Sequence, residues 1–247
     1  MCTLILAWQV FPDAPVVVAA NRDERRDRRA DPPRRLEDDP AVVAPRDAEA
    51  GGTWIGYNER GLFVGVTNRW TGADLAGERS RGLLVRDVLR ESGAEAAVRS
   101  VEDAVDRIEY QGFNLVVADA TAAFLLEWDG RLRVRRFDPG VHVVVNVGAS
   151  DAPAVPDHRS DRGEQQAHNA RRVRAAAQPE PGEDADAWLD RAAGVLADHD
   201  YGVCIHADGY GTVSTSLIRL GVDGDRYDYA DGPPCTTAFE PVEVGTD

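Results

Sequence analysis

The chain has 247 residues, 43% of them hydrophobic, and a formal net charge of −15. A chain of this length buries roughly 70–75% of the surface it exposes when unfolded, so a single domain over residues 1–247 can build a full core without covalent staples. The charge excludes general nucleic-acid binding, whose electrostatic footprint is a basic stripe; the cluster Arg25, Arg26, Arg28, Arg29 is the local exception.

The first element is a strand over Cys2–Val10, apolar and rich in β-formers; Phe11–Pro15 turns the chain, and Val16–Ala20 returns as a second strand. This hairpin delivers the chain to Asn21-Arg22-Asp23-Glu24. Residues 25–50 are charged, Pro-rich and aperiodic, and read as a surface loop. Gly51–Tyr57 and Leu62–Thr67 form another hairpin, with Asn68 directly after it, and residues 71–80 form a loop. Leu84, Val85, Val88 and Leu89 share one face of a helix. A second helix begins at the capping-box pattern Ser92-Gly93-Ala94-Glu95 and carries Ala97, Val101, Ala104, Val105 and Ile108 at helical spacing. Phe113–Ala118, Ala122–Trp128 and Leu132–Phe137 read as a meander with a type I′ turn at Asp129-Gly130, and Val141–Val145 as its fourth strand, ending at Asn146. Helices follow over residues 163–177 and around Trp188, Ala192, Val195 and Leu196. Short strands over Gly202–His206, Thr212–Leu220, Arg226–Tyr229 and Cys235–Phe239 complete the chain. Hairpins without βαβ alternation argue against a parallel sheet, and strands apolar on both faces require cover on both. The fold class expected is α+β: two packed antiparallel sheets with amphipathic helices outside.

All 28 basic residues are Arg, and acids are abundant. Dense carboxylates with no Lys fit a salt-loving microbe, in which salt screens their repulsion. Cys2, Cys204 and Cys235 make no disulfide framework, and none has C-x-x-C spacing, so the sequence does not indicate a metal site, and no cofactor is expected. His142 and His206 read as packed or surface residues rather than ligands. No charged n-region precedes the first apolar stretch, and no run approaches 18 apolar residues. A cytoplasmic protein without a membrane span is expected.

Cys2 is the first candidate for chemistry. Removal of Met1 leaves thiol and α-amine on one residue, and the amine can serve as the thiol's own base. The hairpin returns antiparallel, so Asn21–Glu24 should lie near Cys2. There Asp23 can hold the α-ammonium and Arg22 can favour the thiolate. In Gly51-Gly52-Thr53-Trp54, paired glycines before a strand either admit a ligand to the backbone or make a tight bend with Trp54 in the core.

Together these residues resemble a known family. Met1-Cys2, Asn21-Arg22-Asp23-Glu24, Gly51-Gly52-Thr53-Trp54-Ile55-Gly56 and Gly65-Val66-Thr67-Asn68 look like the NRDE family, the transport and Golgi organisation protein 2 family. So do Asn146 after a strand, Tyr210-Gly211-Thr212 with Ser214-Thr215-Ser216, and Tyr229–Cys235. The resemblance implies a four-layer αββα sandwich like that of N-terminal-nucleophile hydrolases. It makes Cys2 the nucleophile, Asp23 and Arg22 its partners, and Asn68 and Asn146 the oxyanion donors, with Asn21, Gly52, Thr53 and Trp54 lining the substrate site. In the hydrolases the Arg precedes the Asp by three positions, where this chain has Ala20. The resemblance also implies a small-molecule partner. This is either an amide or thioester substrate of a cysteine amidohydrolase or acyltransferase, or haem or an acyl lipid carried without turnover. The oligomeric state does not follow from the sequence.

Overall fold

The computed structural model describes residues 2–243; Met1, whose removal is anticipated above, lies outside them. The chain forms two compact units, one built from the N-terminal stretch to Asp27 together with Pro139–Val242, the other from Arg28–Asp138.

In chain order, β1 (Thr3–Phe11) and β2 (Ala14–Arg25) open the first unit. The second unit contains β3 (Ala30–Asp38), β4 (Ala41–Asp47), β5 (Ile55–Asn58), β6 (Phe63–Asn68), α1 (Arg81–Val88), α2 (Ala94–Val105), β7 (Phe113–Ala118), β8 (Ala123–Trp128) and β9 (Leu132–Arg136). The chain then returns to the first unit with β10 (Gly140–Val145), β11 (Gly148–Ala149), α3 (Ser160–Ala176), α4 (Ala185–Ala197), β12 (His206–Ala207), β13 (Tyr210–Leu220), β14 (Arg226–Ala230) and β15 (Glu240–Pro241). Each unit thus holds one antiparallel sheet and two main helices, as the α+β expectation requires.

The sheet of the first unit runs β11-β10-β1-β2-β13-β14-β15, with β12 paired to β13. Leu4, Ile5, Leu6 and Ala7 of β1 are buried on both strand faces. β2 does not stop at Ala20: it continues through Asn21–Arg25, because β13 offers a full partner there, with Thr215 opposite Asn21 and Thr212 opposite Asp23. Tertiary pairing overrides the polar character of these residues. Helix α4 packs on β2 and β13, and α3 on β10. Asp184 caps α4 by accepting the Ala187 N–H at 2.8 Å, which satisfies an otherwise orphaned donor. Trp188 of α4 is fully buried against Phe11.

The second unit is a plain meander, β3 through β9 in sequence order. Its core joins Leu84, Val85 and Val88 of α1 with Ala97 and Val101 of α2, over Leu62, Val64, Leu115 and Val117. Beside it, Arg69 is buried among Asn114 Oδ1 at 2.8 Å, Glu127 Oε1 at 2.6 Å and Asp129 Oδ2 at 3.5 Å.

Several expectations need correction. Residues 25–50 are not a loop but contain β3 and β4. Val42, Val43 and Ala44 are buried, and Pro32 and Pro33 are accommodated because β3 is the sheet edge and its register skips between Asp31 and Arg34. Ser92 does not cap α2: the N-cap is Gly93, and Asp119 Oδ2 instead accepts the Ala94 N–H at 2.7 Å. The β8–β9 connection is not a type I′ turn, since Gly130 has φ 94° but Asp129 lacks the positive φ that turn needs. β10 leaves the meander and pairs with β1 in the other unit. Gly202–Ile205 and Cys235–Phe239 are turns rather than strands. Among the described residues, no helix is long and apolar enough to cross a membrane.

Candidate active site

Three ladders of the first unit converge on Cys2. Thr3 stands opposite Asn21, so one step back sets Cys2 beside Arg22. Leu4 stands opposite Val144, so two steps along that ladder bring Cys2 to the level of Asn146. On the far side of β2, Thr212 faces Asp23 and Ser214 faces Arg22. The antiparallel pairing therefore gathers Cys2, Arg22, Asp23, Asn146 and Thr212 at one end of four adjacent strands.

Cys2 is half-buried. Its Sγ donates to the Asp23 carbonyl oxygen at 3.7 Å, and the Tyr210 hydroxyl donates to the same oxygen at 3.1 Å. The Asp23 side chain is buried and accepts a 2.6 Å hydrogen bond at Oδ1 from Thr212 Oγ1. Thr212 Oγ1 in turn accepts the Ile205 N–H at 2.9 Å. Burial pushes the Asp23 carboxyl above the usual carboxylate range, against the Thr212 hydrogen bond. Burial also pushes the Cys2 thiol up; the Asp23 charge adds to this and the Arg22 guanidinium opposes it. Burial raises the Tyr210 phenol too, with the negative potential of Cys2 and Asp23 acting in the same direction. These groups thus sense one another electrostatically as well as through hydrogen bonds.

Asn146 is buried at the end of β10. Its Oδ1 accepts from Gln166 Nε2 at 3.1 Å, and Gln166 Oε1 accepts the Val147 N–H at 3.0 Å. Helix α3 therefore fixes the amide oxygen and turns the NH2 end of Asn146 away from Gln166. Asn21, expected as a substrate contact, has both ends of its side-chain amide hydrogen-bonded within the first unit. Its Nδ2 donates to the Leu196 and Val203 carbonyls at 3.1 and 3.0 Å, and its Oδ1 accepts from Thr215 at 2.7 Å. This amide ties β2 to the end of α4 and to β13, and so positions the neighbouring Arg22 and Asp23.

The remaining candidates belong to the second unit. Asn68 ends β6 with an exposed side chain. A Cβ on Gly52 would stand 2.2 Å from the Gly82 carbonyl carbon, and the Thr53 N–H donates to the Gly82 oxygen at 3.0 Å. Gly52 is thus required for the close approach of α1. Buried Thr53 bonds the Ile55 carbonyl at 3.0 Å, and Trp54 is half-buried. An open groove of about 500 Å³ bordered by Arg79, Glu91, Arg99, Asp103 and Tyr110 contains none of these candidates.

Tyr210, Thr212 and Gln166 have no role assigned from sequence. The first two stood in a recognised segment, Tyr210-Gly211-Thr212; Gln166 carried no signal. Nor does the sequence connect His199, Cys204, His206 and Cys235, although they form one cluster in the first unit.

The fold is that of the N-terminal-nucleophile hydrolases. The chain is similar to penicillin V acylase from Agrobacterium tumefaciens, with TM-score 0.57 and 16% identity, covering 93% of this chain and 83% of that one. It is also similar to the N-acylethanolamine-hydrolyzing acid amidase ortholog of Caenorhabditis elegans, with TM-score 0.56 and 14% identity, covering 88% and 92%. A third similar structure is conjugated bile acid hydrolase from Clostridium perfringens, carrying an alanine in place of its second-position cysteine, with TM-score 0.55 and 11% identity, covering 99% and 97%. The model of the Transport and Golgi organisation 2 family matches residues 1–226, and the chain belongs to that family. No curated protein matches it in sequence.

Proposed function

We propose that the protein is an N-terminal cysteine amidohydrolase or acyltransferase with Cys2 as its nucleophile, acting on a small non-peptide amide or thioester. The observation that carries this is the 3.7 Å contact between Cys2 Sγ and the Asp23 carbonyl, with the Asp23 carboxyl buried alongside. Likeness of fold to three enzymes named as an acylase, an acid amidase and a hydrolase supports the reading.

Removal of Met1 frees the α-amine of Cys2. This amine takes the thiol proton, and Asp23 holds the resulting ammonium. The Arg22 charge favours the thiolate. The sulfur attacks the carbonyl carbon, an S–C bond forms, and the oxyanion accepts a hydrogen bond from Asn146 Nδ2. Collapse restores the carbonyl and breaks the C–N bond, and the ammonium passes its proton to the departing amine. Water then attacks the thioester, giving one proton to the α-amine. The S–C bond breaks, the sulfur is reprotonated, and the acid leaves. In transfer, a second nucleophile replaces the water.

The test combines intact mass with turnover of small N-acyl amides and thioesters by the full chain, Cys2→Ala and Cys2→Ser. The expected result is a chain lacking Met1 whose turnover falls by more than ~10³-fold in Cys2→Ala. Retained Met1, or equal turnover by native protein and Cys2→Ala, would overturn the proposal. Stoichiometric hemin or acyl-lipid binding without turnover would overturn it in favour of a carrier.

A further inference from the structure

The segment from the turn after α4 through strand β12 supplies three side chains close together in sequence, and the C-terminal turn brings a fourth to them. His199, Cys204, His206 and Cys235 each offer one ligand atom, and these atoms all lie within 4.8 Å of one another. Cys204 Sγ lies 3.5 Å from Cys235 Sγ and 3.5 Å from His206 Nε2, and His206 Nε2 lies 3.2 Å from Cys235 Sγ. The His199 and His206 rings meet at 5.1 Å between centroids.

The three separations among Cys204, His206 and Cys235 are slightly shorter than the edges of a tetrahedron around zinc, and the His199 ligand atom lies within 4.8 Å of each of them. With Zn–S near ~2.3 Å and Zn–N near ~2.0–2.1 Å, tetrahedral geometry sets S–S, S–N and N–N edges at about 3.8, 3.6 and 3.3 Å. Two thiolates and two imidazoles match zinc better than the hard oxygen-seeking ions, and Cys2His2 is a common structural zinc set. His206 and Cys204 also flank a one-residue spacer, so their side chains start from the same edge of one segment.

We infer that His199, Cys204, His206 and Cys235 form a tetrahedral zinc site of the first unit. Four protein ligands leave no open position, so the site is structural rather than catalytic. It would clasp three segments that the sheet alone holds weakly: the turn at His199–Tyr201, the two-residue strand β12 and the turn bearing Cys235. The clasp adjoins the Cys2 cluster without forming part of it. Ile205, between two of the ligands, donates to Thr212 Oγ1, and Thr212 donates to Asp23. The hairpin from His206 to Gly211 also carries Tyr210, which bonds the Asp23 carbonyl. Zinc at this position would fix the loop that shapes the surroundings of Cys2. The inference does not depend on Cys2 being a nucleophile.

The test uses the full chain purified without chelator. Expected are one zinc per chain by elemental analysis and, after exchange with Co2+, intense visible d–d bands with a thiolate charge-transfer band. Both should persist in Cys2→Ala and disappear in the double variant Cys204→Ala with Cys235→Ala. In His206→Ala, whose side chain is exposed, zinc affinity should fall beyond the ~10–100-fold that a lost outer-shell partner costs. This variant keeps the test decisive if the double variant does not fold. A reduced chain that takes up no zinc, or a Co2+ complex lacking the thiolate band, overturns the inference. So does a metal-free chain two hydrogens lighter than its reduced form, which identifies a Cys204–Cys235 disulfide instead.

Discussion

Thr212 Oγ1 donates to Asp23 Oδ1 at 2.6 Å while accepting the Ile205 N–H at 2.9 Å. One hydroxyl thus joins the loop after α4 to the carboxylate nearest Cys2. Thr212→Val removes both bonds at almost constant volume. It should cost about 1–3 kcal/mol of stability and lower kcat by ~10–100-fold, because Asp23 loses the donor that favours its ionised form. Thr212→Ser should restore most of both. Thermal melts and steady-state kinetics of the three chains check this.

Asn146 owes its orientation to Gln166. Asn146→Ala should lower kcat by ~10²–10³-fold with little change in KM, the behaviour of a lost oxyanion donor. Gln166→Leu, acting through Asn146, should give a smaller loss in the same direction. A change in KM alone in either variant contradicts the oxyanion role.

Asp23 links stability to pH in a defined direction. Burial holds its folded-state pKa above the ordinary value. Ionised Asp23 therefore costs stability at neutral pH. The cost shrinks as pH falls through the folded-state pKa and disappears below the unfolded value near ~3.9. Asp23→Asn should raise Tm at neutral pH, lose that advantage on acidification, and still abolish turnover. Equal destabilisation by Asp23→Asn at every pH would contradict the burial effect.

The positions of the main helices and central strands were legible because their apolar spacing is regular: Leu84, Val85, Val88 in α1 and Val116, Val117 in β7 announce themselves. The Cys2–Asp23 approach was also legible, since a hairpin brings its two open ends together. What was hidden depended on partners distant in sequence. β3 reads as a loop because its two prolines are tolerated only at a sheet edge. The polar end of β2 reads as a loop because β13, which pairs with it, lies almost two hundred residues away. The His199–Cys235 cluster was invisible for the same reason: no spacing rule links Cys204 to a cysteine thirty-one residues on. Gln166 lies on a helix whose polar sequence gives no hint that it faces Asn146.

Arg69 tests the second unit separately. It is buried with Asn114, Glu127 and Asp129. Burial alone would raise Asp129, yet hydrogen bonds and charge from Arg133 and Arg69 hold it below the usual carboxylate range. Arg69→Ala should destabilise by about 3 kcal/mol by removing the cation that pairs with Glu127. Pairing it with Glu127→Gln should recover part of that loss in a double-mutant cycle. The same Arg69 change should leave zinc content untouched.

The most direct test of the nucleophile is peptide mapping of the full chain after brief exposure to an activated acyl ester. One acyl group is expected on the N-terminal peptide beginning at Cys2, absent in Cys2→Ala and slower in Asp23→Asn. Acylation of Cys204 or Cys235 with the Cys2 peptide unmodified would contradict Cys2 as the nucleophile.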